Sequence, residues 1–271
     1  MRLSSGGRAL ERLAGPNRRT GGTGAPSRWR TRRAGNDPWA RSAPAPDQTW
    51  LRQPGGRAAR NVLQQSLLFP LARTIARPRV FGADDLMSAP QPALLAPNHA
   101  SDIDTPLILA ALPHSWRSRT LVGAAADRFY RNHGLAIMTA LWINTFPFDR
   151  GGDLRGLASA AELLRGGYNV LLYPQATRSA GQIEGFRTGV AKLALATSTP
   201  LIPIHVGGSA MIMPKGRGLI QRGSTTVAFG RPIYPREDED PRELIDRVQN
   251  AITALSASGG TSRHRRPRLD S

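Results

Sequence analysis

The chain has 271 residues, a formal net charge of +18 and no cysteine. That length suits one α/β domain of ordinary size with extra segments. The lack of cysteine excludes a disulfide framework, a thiolate nucleophile and a cysteine zinc site. The positive balance favours polyanionic partners, either nucleic acid or an anionic membrane surface.

Residues 1–60 read as a disordered tail. They are dense in Gly, Pro, Ser and Ala, with thirteen Arg and no Lys, opposed only by Glu11, Asp37 and Asp47. This segment holds more than half of the net charge. Trp29, Trp39 and Trp50 stand too far apart to build a core. An Arg-rich, acid-poor start has the composition of an organelle transit peptide, and no apolar run follows Met1-Arg2 as a secretory signal requires. Residues 61–78 differ. Val62, Leu63, Leu67, Leu68, Phe69, Leu71 and Ile75 form an apolar stripe edged by Arg60, Arg73 and Arg77. The pattern predicts an amphipathic helix bent near Pro70, either packed on the domain or lying on a membrane surface. No uninterrupted apolar run is long enough to span a bilayer.

The segment 79–257 carries the domain proper. Arg79–Gly82 and Ala93–Ala96 read as strands. The second opens into Asn98-His99-Ala100-Ser101-Asp102-Ile103-Asp104, ahead of an apolar helix over Leu107–Leu112. A strand end leading into a helix is where α/β proteins place their chemistry. A His there accepts a proton from a hydroxyl if a carboxylate fixes its tautomer. Asp102 lies three residues on and Asp104 five, and spacing alone does not choose between them. Either also serves as a helix-start residue, with Ser101 as the cap.

Arg119–Ala124 reads as a strand and Asp127–Ile143 as one helix, with His133 structural or exposed. Phe146-Pro147-Phe148-Asp149-Arg150 is a short strand ending in an arginine, whose planar fork suits phosphate oxygens. Asp153–Leu164 is the clearest helix, and Tyr168–Tyr173 a buried strand that runs into Tyr173-Pro174-Gln175-Ala176-Thr177-Arg178-Ser179. A helix follows from Phe186. Thr199–Val206 is a buried strand between prolines, in which His205 reads as a strand residue facing a polar partner. Ser224–Phe229 is a strand, and Asp240 caps a last helix with Pro241 at its first position. Residues 258–271 form a second basic tail. Alternating strands and helices predict an α/β fold with a central, mostly parallel sheet flanked by helices.

Four of these stretches, spread over about residues 79–235, resemble in order and spacing the motifs of the glycerolipid acyltransferases, the 1-acylglycerol-3-phosphate acyltransferase family. Asn98-His99 with Asp104 resembles the first, and the resemblance implies a His99–Asp104 catalytic dyad. The stretch ending in Arg150 resembles the second, implying that Arg150 holds an acceptor phosphate. Tyr173–Ser179 resembles the third, usually Phe-Pro-Glu-Gly-Thr-Arg-Ser, with Gln175 for Glu and Ala176 for Gly as departures. Thr199–Val206 resembles the fourth, which helps shape the acyl side. The resemblance implies acyl transfer from acyl-CoA or acyl carrier protein to a lysophospholipid hydroxyl, in phospholipid biosynthesis. It further implies Asn98, Arg150, Gln175, Thr177 and Arg178 as substrate-binding residues, no need of a cofactor or metal, and a peripheral or monotopic protein on the cytoplasmic face of a membrane. Gln175 brings no charge, so acceptor choice turns on whether that position binds hydroxyls or balances Arg178. The alternatives are an acceptor without phosphate, a metal phosphoesterase built on His99, Asp102 and Asp104, and a non-enzymatic basic protein binding nucleic acid or anionic membrane. A serine hydrolase is excluded because no Gly-x-Ser-x-Gly elbow is present.

Overall fold

Short apolar runs, buried on both faces, set the centre of the fold. The computed structural model describes residues 49–130, 133–148, 154–175, 177–179, 182–214 and 220–258. Its strands are β1 Pro78–Phe81, β2 Leu94–Pro97, β3 Thr120–Ala125, β4 Thr145–Phe148, β5 Asn169–Leu171, β6 Leu201–Gly207 and β7 Thr225–Phe229. They form one sheet in the order β1-β7-β6-β2-β5-β3-β4. β6, β2, β5, β3 and β4 run parallel; β7 is antiparallel to β6 and parallel to β1. The expected mostly parallel sheet is therefore present.

Alternation along the strands sends side chains to two cores. Leu95, Val122, Leu171, Ile202, Ile204 and Phe229 point to one face, and Leu94, Leu121, Val170, Leu172 and Leu201 to the other. Helices cover both. α1 Pro54–Leu63, α2 Phe69–Ala76, α3 Asp104–Ala111 and α4 His133–Ile143 belong to the first layer. α5 Leu154–Arg165, α6 Gly189–Thr197 and α7 Pro241–Ser258 form the second. At the start of α7, Asp240 Oδ1 accepts the Arg242 N–H at 2.6 Å, the cap expected there.

Three boundaries differ from the sequence reading. α1 begins at Pro54, inside the stretch read as tail, and a turn of 3₁₀ helix at Thr49–Arg52 precedes it. Leu51 is buried there, and Arg60 is buried because its guanidinium donates to the Leu51 carbonyl at 3.1 Å. The irregularity expected at Pro70 is a π-helical turn over Gln64–Leu68 directly before it, where Pro70 has no N–H to give. Finally, the single helix expected over Asp127–Ile143 is interrupted. A turn at Ala126–Phe129 ends at Tyr130, whose ring is buried and whose hydroxyl donates to Thr145 Oγ1 at 3.1 Å. Burying that aromatic and pairing its hydroxyl outweighs continuing the helix.

On α1, the π-turn and α2, one side is buried through Leu68, Phe69, Ala72 and Ala76, while Val62, Leu67 and Leu71 remain exposed. Among the described residues no helix is long and apolar enough to cross a membrane.

Candidate active site

Parallel strands share one end, and the candidate residues gather there. The loop after β2 carries His99 and Asp102 and runs into Asp104, the first residue of α3; the turn after β3 carries Arg128; the loop after β5 carries Gln175, Thr177 and Arg178. β2, β5 and β3 are neighbours in the sheet, so segments far apart in sequence meet at one edge.

The first question left open by spacing has a clear answer. His99 Nδ1 lies 3.0 Å from Asp104 Oδ2. The loop bends so that the same oxygen also accepts the backbone N–H of Ala100 at 2.7 Å and of Ser101 at 2.8 Å. Asp104 is fully buried, and its Oδ1 has no hydrogen-bond partner among the described residues. Since a carboxylate only accepts, Nδ1 carries the proton and Nε2 is the basic nitrogen. The Ala100 and Ser101 amides are thus committed to Asp104.

The His99 backbone is equally held. Its N–H donates to Gln175 Oε1 at 2.8 Å and its carbonyl accepts the Ser179 N–H at 3.0 Å. Beneath the imidazole, the Tyr173 ring stacks with centroids 4.0 Å apart. Its hydroxyl pairs with Thr105 Oγ1 at 2.7 Å. Burial and then the Asp104 charge push the Tyr173 phenol well above its ordinary value, so it stays neutral. Tyr173 is a third departure from the usual third motif, which has Phe there, and sequence reasoning passed over it. A polar aromatic at the end of a buried strand was the available signal.

Two expected substrate-binding residues are struts instead. Asn98 donates from Nδ2 to the Val206 carbonyl at 3.0 Å and accepts the Val206 N–H at 2.7 Å, so both its polar groups extend the β2–β6 pairing. Gln175 is 3% exposed. Its Nε2 donates to the carbonyls of Gln182 at 2.8 Å and Glu184 at 3.0 Å, and lies 2.8 Å from Ser179 Oγ. An amide suits that pocket; a carboxylate would set oxygen against two carbonyl oxygens. Gln175→Glu is therefore expected to cost about 1–3 kcal/mol of stability, read as a lower midpoint in denaturant. An unchanged midpoint would contradict the strut assignment.

Asp102 faces the other way. Its carboxylate meets Arg178 Nη1 at 2.7 Å and takes a two-pronged contact from Arg128, at 3.0 and 2.9 Å. Burial raises the Asp102 carboxyl, but the Arg128 bonds and the charges of Arg128, Arg178 and His99 outweigh it and hold it below its usual range. With Asp102 turned onto the arginines, the trio required for the metal phosphoesterase is not assembled. Among the described residues no three His, Cys, Asp or Glu side chains gather as metal ligands. Thr177 is exposed beside Arg178. Arg150 and Ala176 lie outside the described residues. His205 is a β6 residue as expected; its buried Nδ1 has no hydrogen-bond partner among the described residues, and burial lowers its pKa. His133 is exposed at the start of α4.

The chain is similar to known proteins over this same region. A family model described as Acyltransferase matches residues 77–207. A chloroplastic 1-acyl-sn-glycerol-3-phosphate acyltransferase of Brassica napus, BAT2, is 28% identical over 173 residues, covering 63% of this chain and 48% of that protein. The chloroplastic LPAT1 of Arabidopsis thaliana is 28% identical over 155 residues, covering 56% of this chain and 42% of its own length. This chain spans about half the length of the curated relatives it matches. The crystal structure of PlsC from Thermotoga maritima, a 1-acyl-sn-glycerophosphate acyltransferase, superposes with a TM-score of 0.56 at 20% identity, covering 76% of this chain and 85% of that one. That likeness speaks to the fold. The region that matches the acyltransferase family, residues 77–207, thus holds the His99–Asp104 pair, the loop of Arg178 and most of the sheet that joins them.

Proposed function

We propose that this chain transfers a fatty acyl group from a thioester, acyl-CoA or acyl carrier protein, to the free hydroxyl of 1-acylglycerol 3-phosphate, as a step of phospholipid biosynthesis. The observation that carries the reading is the imidazole held through Nδ1 by a buried carboxylate, beside an arginine at the same sheet edge. His99 Nε2 takes the proton of the acceptor hydroxyl as its oxygen attacks the acyl carbonyl. The carbon–sulfur bond then breaks, and the imidazolium returns the proton to the departing thiolate. Asp104 holds the tautomer and stabilises the charged ring. Arg178 binds the acceptor phosphate, and Arg150 is assigned the same role from its motif. No covalent enzyme intermediate is needed, because a thioester is already activated.

The membrane is the natural source of the lysophospholipid acceptor. Exposed Val62, Leu67 and Leu71, flanked by exposed Arg73, Arg77 and Arg79, suit a peripheral contact with an anionic surface.

The test is an assay of purified protein with lysophosphatidic acid, glycerol 3-phosphate and a phosphate-free lysolipid as acceptors. Transfer should be fastest to lysophosphatidic acid. Arg178→Ala should raise KM for it about tenfold or more, as one charge-assisted contact is lost. Equal use of the phosphate-free acceptor, with KM unmoved in Arg178→Ala, would point to another lipid acceptor.

A further inference from the structure

Asp102 is not needed for the proton transfer, yet it sits in the same loop, between His99 and Asp104. Its Oδ2 lies 2.7 Å from Arg178 Nη1 and 2.9 Å from Arg128 Nη2; its Oδ1 lies 3.0 Å from Arg128 Nη1. These are the lengths and the forked geometry that guanidinium groups give to phosphate oxygens. The Asp102, Arg128 and Arg178 side chains are 32%, 43% and 18% exposed, so solvent and small anions reach them. Both guanidiniums therefore meet the same carboxylate.

We propose that Asp102 is a specificity-determining residue of the acceptor site: it occupies Arg178 and Arg128 as an internal anion and so sets how strongly the site prefers a doubly charged phosphate monoester. The proposal rests on the acyl-transfer reading above. An acceptor phosphate and the Asp102 carboxylate compete for the same N–H groups. The contact is partly exposed and therefore weakly held, so a phosphate displaces it, but against a carboxylate that remains nearby and repels it. Repulsion scales with ligand charge. It acts most on a dianionic monoester, less on a monoanionic diester, and not at all on a neutral acceptor. Asp102 thus levels the preference between lysophospholipid classes. Arg128, which no motif singled out, becomes the outer member of the anion site.

The experiment compares wild type with Asp102→Asn on lysophosphatidic acid, lysophosphatidylglycerol and monoacylglycerol. Asparagine keeps the shape and removes the charge. The preference for the monoester over the neutral acceptor, in kcat/KM, should rise about tenfold and through KM. The diester should gain less, and monoacylglycerol least. Asp102→Glu should restore the wild-type order. Equal changes for all three acceptors, or a monoester KM that rises or stays, would overturn the proposal. Calorimetric titration with inorganic phosphate separates this from the reading beneath it. Tighter phosphate binding in Asp102→Asn is expected even if no acceptor is acylated, whereas unchanged binding sinks the Asp102 role. Asp102→Ala, checked by thermal melt, covers the case in which the asparagine variant fails to fold.

Discussion

His99→Ala will lower acyl transfer about 10²–10⁴-fold while the protein stays folded. The loss follows from geometry: Nδ1 is spent on Asp104, so Nε2 is the ring's one basic nitrogen, and no other histidine among the described residues lies in this loop. His133 is remote in sequence and exposed, and His205 belongs to β6 with its own Nδ1 buried. The fold survives because the loop is fastened by its backbone. The bonds from His99 N–H to Gln175 and from Ser179 N–H to the His99 carbonyl do not involve the imidazole. Arg178 and the Asp102 cluster also remain, so KM for the acceptor should change far less than kcat. Thiol release on acyl-CoA gives the rate, and a thermal melt gives the fold. Unchanged turnover in a folded variant would remove His99 from the chemistry.

Asp104 should show a larger combined effect, split by the choice of replacement. In Asp104→Asn an amide oxygen takes the place of Oδ2, where it accepts from the His99 ring and the two amides much as before. What is lost is the charge that stabilises the imidazolium, and kcat should fall about 10²–10⁴-fold with little loss of stability. In Asp104→Ala the Ala100 and Ser101 N–H groups are left buried without an acceptor, at about 1–3 kcal/mol each. The loop that positions His99 then loses its anchor, so stability and turnover fall together. Denaturant midpoints beside kcat for both variants make the check. If Asp104→Asn kept full activity while Asp104→Ala lost it, Asp104 would be a loop anchor alone.

Much of the fold was legible because the strands are short apolar runs and the helices are amphipathic or capped. β2, β3, β6 and β7 lie where apolar runs and prolines predict them, and Asp240-Pro241 opens α7 as its cap chemistry requires. The break at Tyr130 was not legible, since it depends on Thr145, a residue on the neighbouring strand. The site divides in the same way. His99 and two acids were visible in one loop, but the choice of Asp104 over Asp102 depends on two backbone amides turning toward Oδ2 and on Arg128 and Arg178 arriving from other strand ends. Asn98 and Gln175 were read as substrate ligands because polar residues beside a catalytic motif look available. Burial decides otherwise: both spend their amides on main chain in neighbouring segments. That also answers what compensates for the missing charge at Gln175, since the carboxylate that meets Arg178 is Asp102.

The central claim is that one imidazole, held by Asp104, removes the acceptor proton. The most direct test is kcat for lysophosphatidic acid in wild type, His99→Ala, Asp104→Asn and the double variant. If the two residues act as one unit, the double variant should be about as slow as His99→Ala alone. Losses that multiply in the double variant would contradict the account.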